Sequence, residues 1–379
     1  MAKWGLKHRL ALAAAVFVLL GLAGLQAFAW RLVRNPPGTV YSLRMACGSW
    51  PYQQIPQDGQ GRILLPQQQN LTLVDEDLGA SVTLAGVFYS MDNQPFNLSP
   101  TGTAYGYERD DGICRYDSTG RQVWSFNPAD VYWVRSMEAL DHGAVMVDTS
   151  SRLLRLDGSG NLLWWYKAGE YHPSKCGFHE EYLRMAIGPD DVVAYDTSGV
   201  LEVDVAVVDA DGQQRWVLND DDAYYQLISQ GRVGNSLFIS WHDHRTDDNR
   251  MYCYDWKGGQ IASHPIEIRD DDPVASSPGT FSVANRENLY VFDESGQLKW
   301  QSAGEGYVSA ALHLPDGRYL AVRDSQSHRP EIQLFNADGQ PGRSTLLPTS
   351  ITMVPLLHDN GLVYLALRDR IVAIDPARL

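Results

Sequence analysis

Positive charge is scarce in this sequence. The 379 residues hold 31 Lys and Arg against 46 Asp and Glu, a net charge of −15. Five basic residues, Lys3, Lys7, Arg9, Arg31 and Arg34, fall in the first 34 positions, which contain no acid; the remaining 345 residues therefore carry −20. Nucleic acid and anionic lipid surfaces are recognised by clustered Lys and Arg, so so acidic a domain is expected to bind no nucleic acid. Catalytic signatures are also missing: no Gly-x-Ser-x-Gly elbow and no Ser-His-Asp order stands out. Charged residues are only 20% and hydrophobic ones 44%, which excludes a disordered chain.

Long hydrophobic runs are absent with one exception. Residues 10–29 are twenty positions without a charge, preceded by Lys3, Lys7 and Arg9 and followed by Trp30, Arg31 and Arg34. Twenty helical residues cover about 30 Å, the thickness of the bilayer's hydrocarbon core. Trp30 suits the interface, and the basic tail favours the cytoplasmic side. The expectation is one N-terminal transmembrane helix, with residues 1–34 as an inner-membrane anchor and residues 35–379 in the periplasm or outside the cell. The alternative is secretion after signal cleavage, since Ala27-Phe28-Ala29 fits a small-x-small site. Both readings export the domain to an oxidising compartment. There the four cysteines, Cys47, Cys114, Cys176 and Cys253, can form up to two disulfides in three connectivities, or remain buried thiols.

What the sequence does contain is a repeat, Asp-x-x-Gly-x-x-x-Trp. It runs from Asp117 to Trp124, Asp157 to Trp164, Asp209 to Trp216 and Asp293 to Trp300, with weaker copies at Asp75, Asp255, Asn336 and Asp375. Successive copies are 42, 40, 52, 46, 38, 43 and 39 residues apart. Short apolar runs precede them, among them residues 71–74, 153–156, 205–208, 289–292 and 371–374. This period, built from short strands, predicts an all-β propeller of four-stranded antiparallel blades. The Asp accepts hydrogen bonds from its own turn, Gly supplies a positive φ, and Trp packs on the neighbouring blade. A second set of turns, including those at Asp141, Asp190 and Asp316, precedes the repeat Asp and joins the two inner strands. In the first blade the strands are expected at 52–58, 62–66, 70–74 and 81–86. The last copy leaves no outer strand after Asp375, and residues 39–45 can supply it, which gives eight blades; seven follow if the Asp75 copy is spurious.

These repeats resemble the PQQ-like family of propellers, quinoprotein-type and BamB-like, over roughly residues 50–379. The resemblance implies an eight-bladed propeller. In quinoprotein alcohol dehydrogenases that fold carries pyrroloquinoline quinone (PQQ) with calcium; in BamB it serves outer-membrane assembly with no cofactor. This chain lacks the adjacent cysteine pair common over the quinone, and no set of Glu, Asn and Asp calcium ligands stands out. No cofactor is therefore expected, with PQQ and calcium as the alternative.

Function concentrates on loops held by a rigid scaffold. The face opposite the short turns carries the long segments 127–134, 167–182, 219–225, 241–250, 266–276 and 323–331. Arg135 and Arg184 each lie six residues before a turn Asp, so they occupy equivalent inner-strand positions. They can grip a carboxylate or phosphate, or pair with Glu138, Glu180 or Glu181. His242 and His244 form a His-x-His pair on one strand face, with His172, Cys176 or His179 as possible further metal ligands. The Asp triplets at 220–222 and 270–272 read as solvated loop charge. Trp133, Tyr182 and Tyr224 lie among the aromatics near the channel mouth and suit a sugar or peptide, or plain blade packing. The leading expectation is a non-catalytic interaction scaffold with envelope proteins as partners. The alternative is a quinoprotein-like oxidoreductase or another enzyme at the mouth, using Arg135 and Arg184 with His242 or His179 as base.

Overall fold

The computed structural model describes residues 35–45, 50–66, 70–84, 96–108, 112–127, 134–140, 143–149, 152–167, 185–196, 204–220, 223–243, 245–246, 248–268, 272–277, 279–285, 288–303, 309–323 and 330–379. Residues 1–34, and with them the expected membrane segment, lie outside this set. No helix among the described residues is long and apolar enough to cross a membrane.

Eight antiparallel blades follow one another around a ring. Blade 3 shows the pattern: Val134–Ala139 is innermost, then Val145–Thr149, Leu153–Leu156 and the outer Leu162–Tyr166. The middle strands are buried, being paired on both sides, and the outer strand is half-exposed because its free edge lies at the rim in solvent. Blade 8 closes the ring as expected. Its inner three strands come from the C-terminal end, and Thr39–Arg44 adds the fourth, with Leu43 opposite Ile371 and Arg44 opposite Arg370. Gly38 O accepts from Asp375 N at 3.0 Å where the two segments meet.

The first blade departs from its expected pairing. Trp50–Gln54 runs parallel to Met353–Val354 of blade 8, and only Gln57 bridges to Ile63 in its own blade. Pro51 and Pro56 have no N–H to give to a ladder, which breaks regular pairing along this segment. The other three strands are Ile63–Pro66, Leu71–Val74 and Ser81–Thr83. A second parallel contact joins Gly231–Arg232, in the loop after blade 5's inner strand, to Ala186 and Ile187 of blade 4.

The repeat Asp or Asn organises the outer hairpins of blades 2 to 7. Asp157 Oδ1 accepts from Ser159 N at 2.8 Å and Asn161 N at 2.9 Å, and Gly160 turns the chain at φ +85°. Asp117, Asp209, Asp255, Asp293 and Asn336 make the same pair of bonds. A register shift falls just before the turn in the corresponding strand pairs, where the extra residue sharpens the twist. The Asp75 copy is genuine. Leu78 takes the Gly position at φ +57°, held there by burial of its side chain.

The blades dock through one recurring group, the carbonyl of the residue after the turn Asp. Trp124 Nε1 donates to Gly158 O at 3.1 Å, Trp164 Nε1 to Ala210 O at 2.8 Å and Trp216 Nε1 to Trp256 O at 3.2 Å, each from one blade to the next. Arg115 also donates to Gly158 O, and Arg155 Nη1 reaches Ala210 O at 2.8 Å. Where no Trp stands, other donors serve. Ser236 Oγ reaches Glu294 O at 2.6 Å, Arg318 Nη2 reaches Pro376 O at 2.9 Å, and the Tyr364 hydroxyl donates to Glu76 O. Six of the eight seams thus use the carbonyl at the same turn position as acceptor, each bond contributing about 0.5–1.5 kcal/mol. The indoles also press on the next blade's turn glycine: a Cβ on Gly212 would lie 2.8 Å from Trp164 Cδ2.

Candidate functional site

Among the described strands, the middle strands of blade 5 are the longest, at 8 and 7 residues. Ser236–Asp243 and Asn249–Asp255 pair as far as His242 and Asn249, so they project a hairpin from the long-loop face. Period-2 alternation sets His242 directly across from Tyr224 and Trp241 across from Tyr225. Both His242 and Tyr224 are half-buried. His242 Nδ1 lies 2.8 Å from Asn249 Oδ1; the amide oxygen only accepts, so this nitrogen carries the proton.

The hairpin's two described carboxylates, Asp243 and Asp248, are occupied with its own structure. Asp243 Oδ1 accepts from Arg245 N at 2.7 Å and Thr246 N at 3.3 Å, and these bonds hold its carboxyl below the usual range. Asp248 pairs with Arg250 at 3.2 Å. Blade 4 grips blade 5's inner strand from the side: Asp196 Oδ2 accepts from Leu227 N at 3.0 Å and Asp204 Oδ2 from Tyr225 N at 3.2 Å. Both carboxylates are fully buried, at 1% and 0% exposure, so they are structural anchors for the strand that carries Tyr224.

His242 and Tyr224 are therefore brought together. Arg135 lies on blade 3's inner strand, at the register shift between Val134 and Ser136, and its side chain lies outside what is described. Trp133, Tyr182, Arg184, His172, His179 and His244 also fall outside the described residues, and so does the proposed guanidinium pair. Glu138, one candidate partner for Arg135, receives Asn97 Nδ2 of blade 2 at 3.1 Å. No group of three or more His, Cys, Asp or Glu with metal-site geometry occurs among the described residues.

The cysteines separate by blade. Cys114 and Cys253 are buried in the third strands of blades 2 and 5 and do not bond to each other; Cys47 and Cys176 lie outside the described residues. Cys114 Sγ lies 3.6 Å from Gly112 O as a donor. Cys253, expected as a disulfide candidate, is a free thiol. Burial pushes it up to about 11, with Asp293 and Asp255 adding to the shift and a Ser236 hydrogen bond opposing it. Its setting explains this: Cys253 fills the space at a seam where Ala262 stands in place of Trp, and a Cβ on Gly296 of the next blade would meet its sulfur at 2.4 Å.

Two features outside the expected face emerge from the structure. The outer strand of blade 3 is apolar and exposed, with Leu162 at 41%, Leu163 at 55% and Trp165 at 51%. Arg152 lies over the Trp165 ring at 4.7 Å. The second is a cleft of 280 Å³ on the turn face between blades 5 and 6, lined by residues 233–236, Phe238, Ser276, residues 279–281, Asp293 and Glu294. The Leu-Leu-Trp-Trp-Tyr run is visible in the sequence once its strand is known to be outermost. The cleft depends on a loop path that no periodicity marks.

Fold and seams together define a closed eight-bladed propeller docked by its turn tryptophans. The chain belongs to the PQQ-like propeller family described as outer membrane protein assembly factor BamB, whose model matches residues 69–262, just over half of its length. No curated protein sequence matches it. Among solved structures it is similar to the computationally designed Ika8 protein, with a TM-score of 0.62 at 13% identity over 90% of this chain and 99% of that one. The Dos1 propeller gives 0.63 at 12% identity, over 89% and 95% of the two chains. A chain of the mitotic checkpoint complex gives 0.53 at 10%, over 90% and 93%. At such identities the likeness is one of fold alone.

Proposed function

We propose that this propeller is a non-catalytic scaffold that binds proteins of the cell envelope, tethered through residues 10–29 on the exported side of the inner membrane. The observation that carries this reading is the apolar outer edge of blade 3. Among the described residues, 162–166 end their sheet, with no further strand beyond them to take their outward N–H and C=O groups, beside Leu163 and Trp165. An exposed edge with apolar side chains is a place for another chain to dock. Membership of a family described by outer-membrane assembly supports envelope proteins as partners. The apolar run with its basic flanks supports the tether, and the −20 charge of residues 35–379 argues against nucleic acid.

The test is chemical crosslinking and copurification of the full chain from envelopes, comparing wild type with Leu163→Glu and Trp165→Glu. These exposed positions should leave the circular dichroism and melting temperature unchanged. Loss of specific envelope partners in both variants supports the scaffold. A partner set unchanged by these variants and by Tyr224→Ala on the long-loop face sinks it. Stoichiometric PQQ or metal in the native mass spectrum would turn the reading toward an enzyme.

A further inference from the structure

We infer that the cleft between blades 5 and 6 is a socket for the cationic side chain, arginine or lysine, of a partner polypeptide. This rests on the scaffold reading and assigns it a recognition site on the turn face.

The cleft lies beside a seam that is built differently from the others. At the seams after blades 2, 3 and 4 an indole reaches the next blade's turn carbonyl, and after blade 6 Trp300 packs against Gly339. After blade 5 the Trp position is Ala262. The turn carbonyl, Glu294 O, is instead taken by the small hydroxyl of Ser236 from the middle of blade 5, and His264 Nε2 lies 2.7 Å from Gly296 O further out. The seam is held together, yet the volume beside Ser236 stays open.

Its walls are rigid. Phe238 and Phe281 stack across the seam at 3.9 Å with planes 9° apart, and both are nearly fully buried. The 233–235 wall is pinned by Trp256 Nε1 to Gly234 O at 2.8 Å and by Val233 N to Ile187 O at 2.9 Å. The lining has one sign of charge. Among the described lining residues Asp293 and Glu294 are the ionisable ones, and Lys299 stands close enough to Asp293 to favour its charged form. Asp293 also caps its own turn. Its partial burial opposes ionisation, but the Ser295 hydroxyl and the Gln297 and Ser295 N–H groups hold it below the usual carboxylate range. Glu294 is exposed at the rim.

An aromatic floor with carboxylates at the mouth matches a side chain with an aliphatic stem and a positive head. Lys and Arg lay their methylenes on apolar surface and keep the charge at the polar edge. Asn235, Ser276 and Thr280 add neutral hydrogen-bonding groups around the opening. The domain's −20 charge attracts a basic segment to the domain and repels an acidic one, and the two lining carboxylates add to this at the cleft.

The experiment is calorimetric titration of the full chain in non-ionic detergent. The probes are a short extended peptide with one central arginine, the same peptide with norleucine there, and free spermidine. The arginine peptide should bind one to one, and at least tenfold more weakly to Glu294→Gln. Asn235→Trp, which fills the opening from an exposed loop, should abolish binding without lowering the melting temperature. The norleucine peptide should not bind. Equal binding of both peptides, or arginine binding indifferent to both variants, overturns the proposal. Tighter uptake of spermidine than of the peptide overturns the partner side chain as occupant. If the arginine peptide fails to bind while envelope partners are still captured through blade 3, the socket is wrong and the scaffold stands. If the peptide binds and no partner is captured, the scaffold fails.

Discussion

Replacing Gly212 by alanine should separate two costs that the turn glycines bear together. Gly212 lies at φ +82°, so any L side chain there enters the left-handed region at roughly 1–2 kcal/mol. Its new Cβ would also lie 2.8 Å from Trp164 Cδ2 and 3.0 Å from Cγ. These are ring carbons of an indole already fixed by its bond to Ala210 O, and not the far end of a flexible chain. Forcing the seam apart should add about 1–3 kcal/mol, typical of overpacking, for a total of about 2–5. Gly317 is the control. It has the same φ of +82°, and nothing lies within 4 Å of the position of its Cβ. Gly317→Ala should therefore cost only the backbone term, about 1–2 kcal/mol. Urea unfolding followed by far-ultraviolet circular dichroism gives both values. In a Trp164→Ala background the Gly212→Ala cost should fall to the Gly317 level, a coupling of about 1–3 kcal/mol. Equal losses at the two glycines, or no coupling to Trp164, would refute the claim that the indole docks the blades.

Three further outcomes follow from the seams and turns. Leu78→Gly relieves a left-handed Leu by roughly 1–2 kcal/mol but removes a buried side chain worth about 2–5. A net loss of stability is expected, and a gain in melting temperature would contradict it. Asp117 is held down to about 2 by its side-chain bond from Thr119, then by Arg121 N–H and weaker bonds. Its folded value lies below the unfolded one, so its contribution is complete above about pH 4 and fades as pH falls toward 2. Asp117→Asn should flatten the urea midpoint over that window and leave it shifted but parallel at neutral pH. The Cys253 thiol, pushed up to about 11 by burial, should resist alkylation at pH 8 in the native protein and react once unfolded; rapid native labelling of Cys253, read by mass spectrometry, would count against its place in the seam.

The blade count was legible because the turn chemistry is local. Asp157, Gly160 and Trp164 act within eight residues and one neighbouring turn, so their spacing carries the architecture. The closing strand was legible from arithmetic, since a blade ending at Asp375 needs an outer strand and residues 39–45 precede the first blade and can supply it. Other features were hidden because they depend on residues distant in sequence. Gly231 meeting Ala186 is a two-residue parallel contact with no periodicity. That Glu294 O is satisfied by Ser236, 58 residues earlier, appears only when the blades are assembled. The pairing of His242 with Tyr224 was not foreseen either, because it depends on how far blade 5's hairpin extends. The Trp role was correctly read as packing, but its hydrogen bond to the next turn was not, since a side-chain donor does not reveal its acceptor.

The strand 39–44 gives the ring a mechanical character. It is the one outer strand whose chain leads directly to the N-terminal segment, so any pull on that segment is carried by its ladder to residues 370–374. A load along the strand shears all the rungs at once, and the ring resists. A load directed away from the rim starts at Thr39 and peels them one by one. Peeling bares Ile371, Val372, Ala373 and Ile374, which are fully buried while the clasp is shut. The direction of tension, as much as its size, decides whether the propeller stays closed.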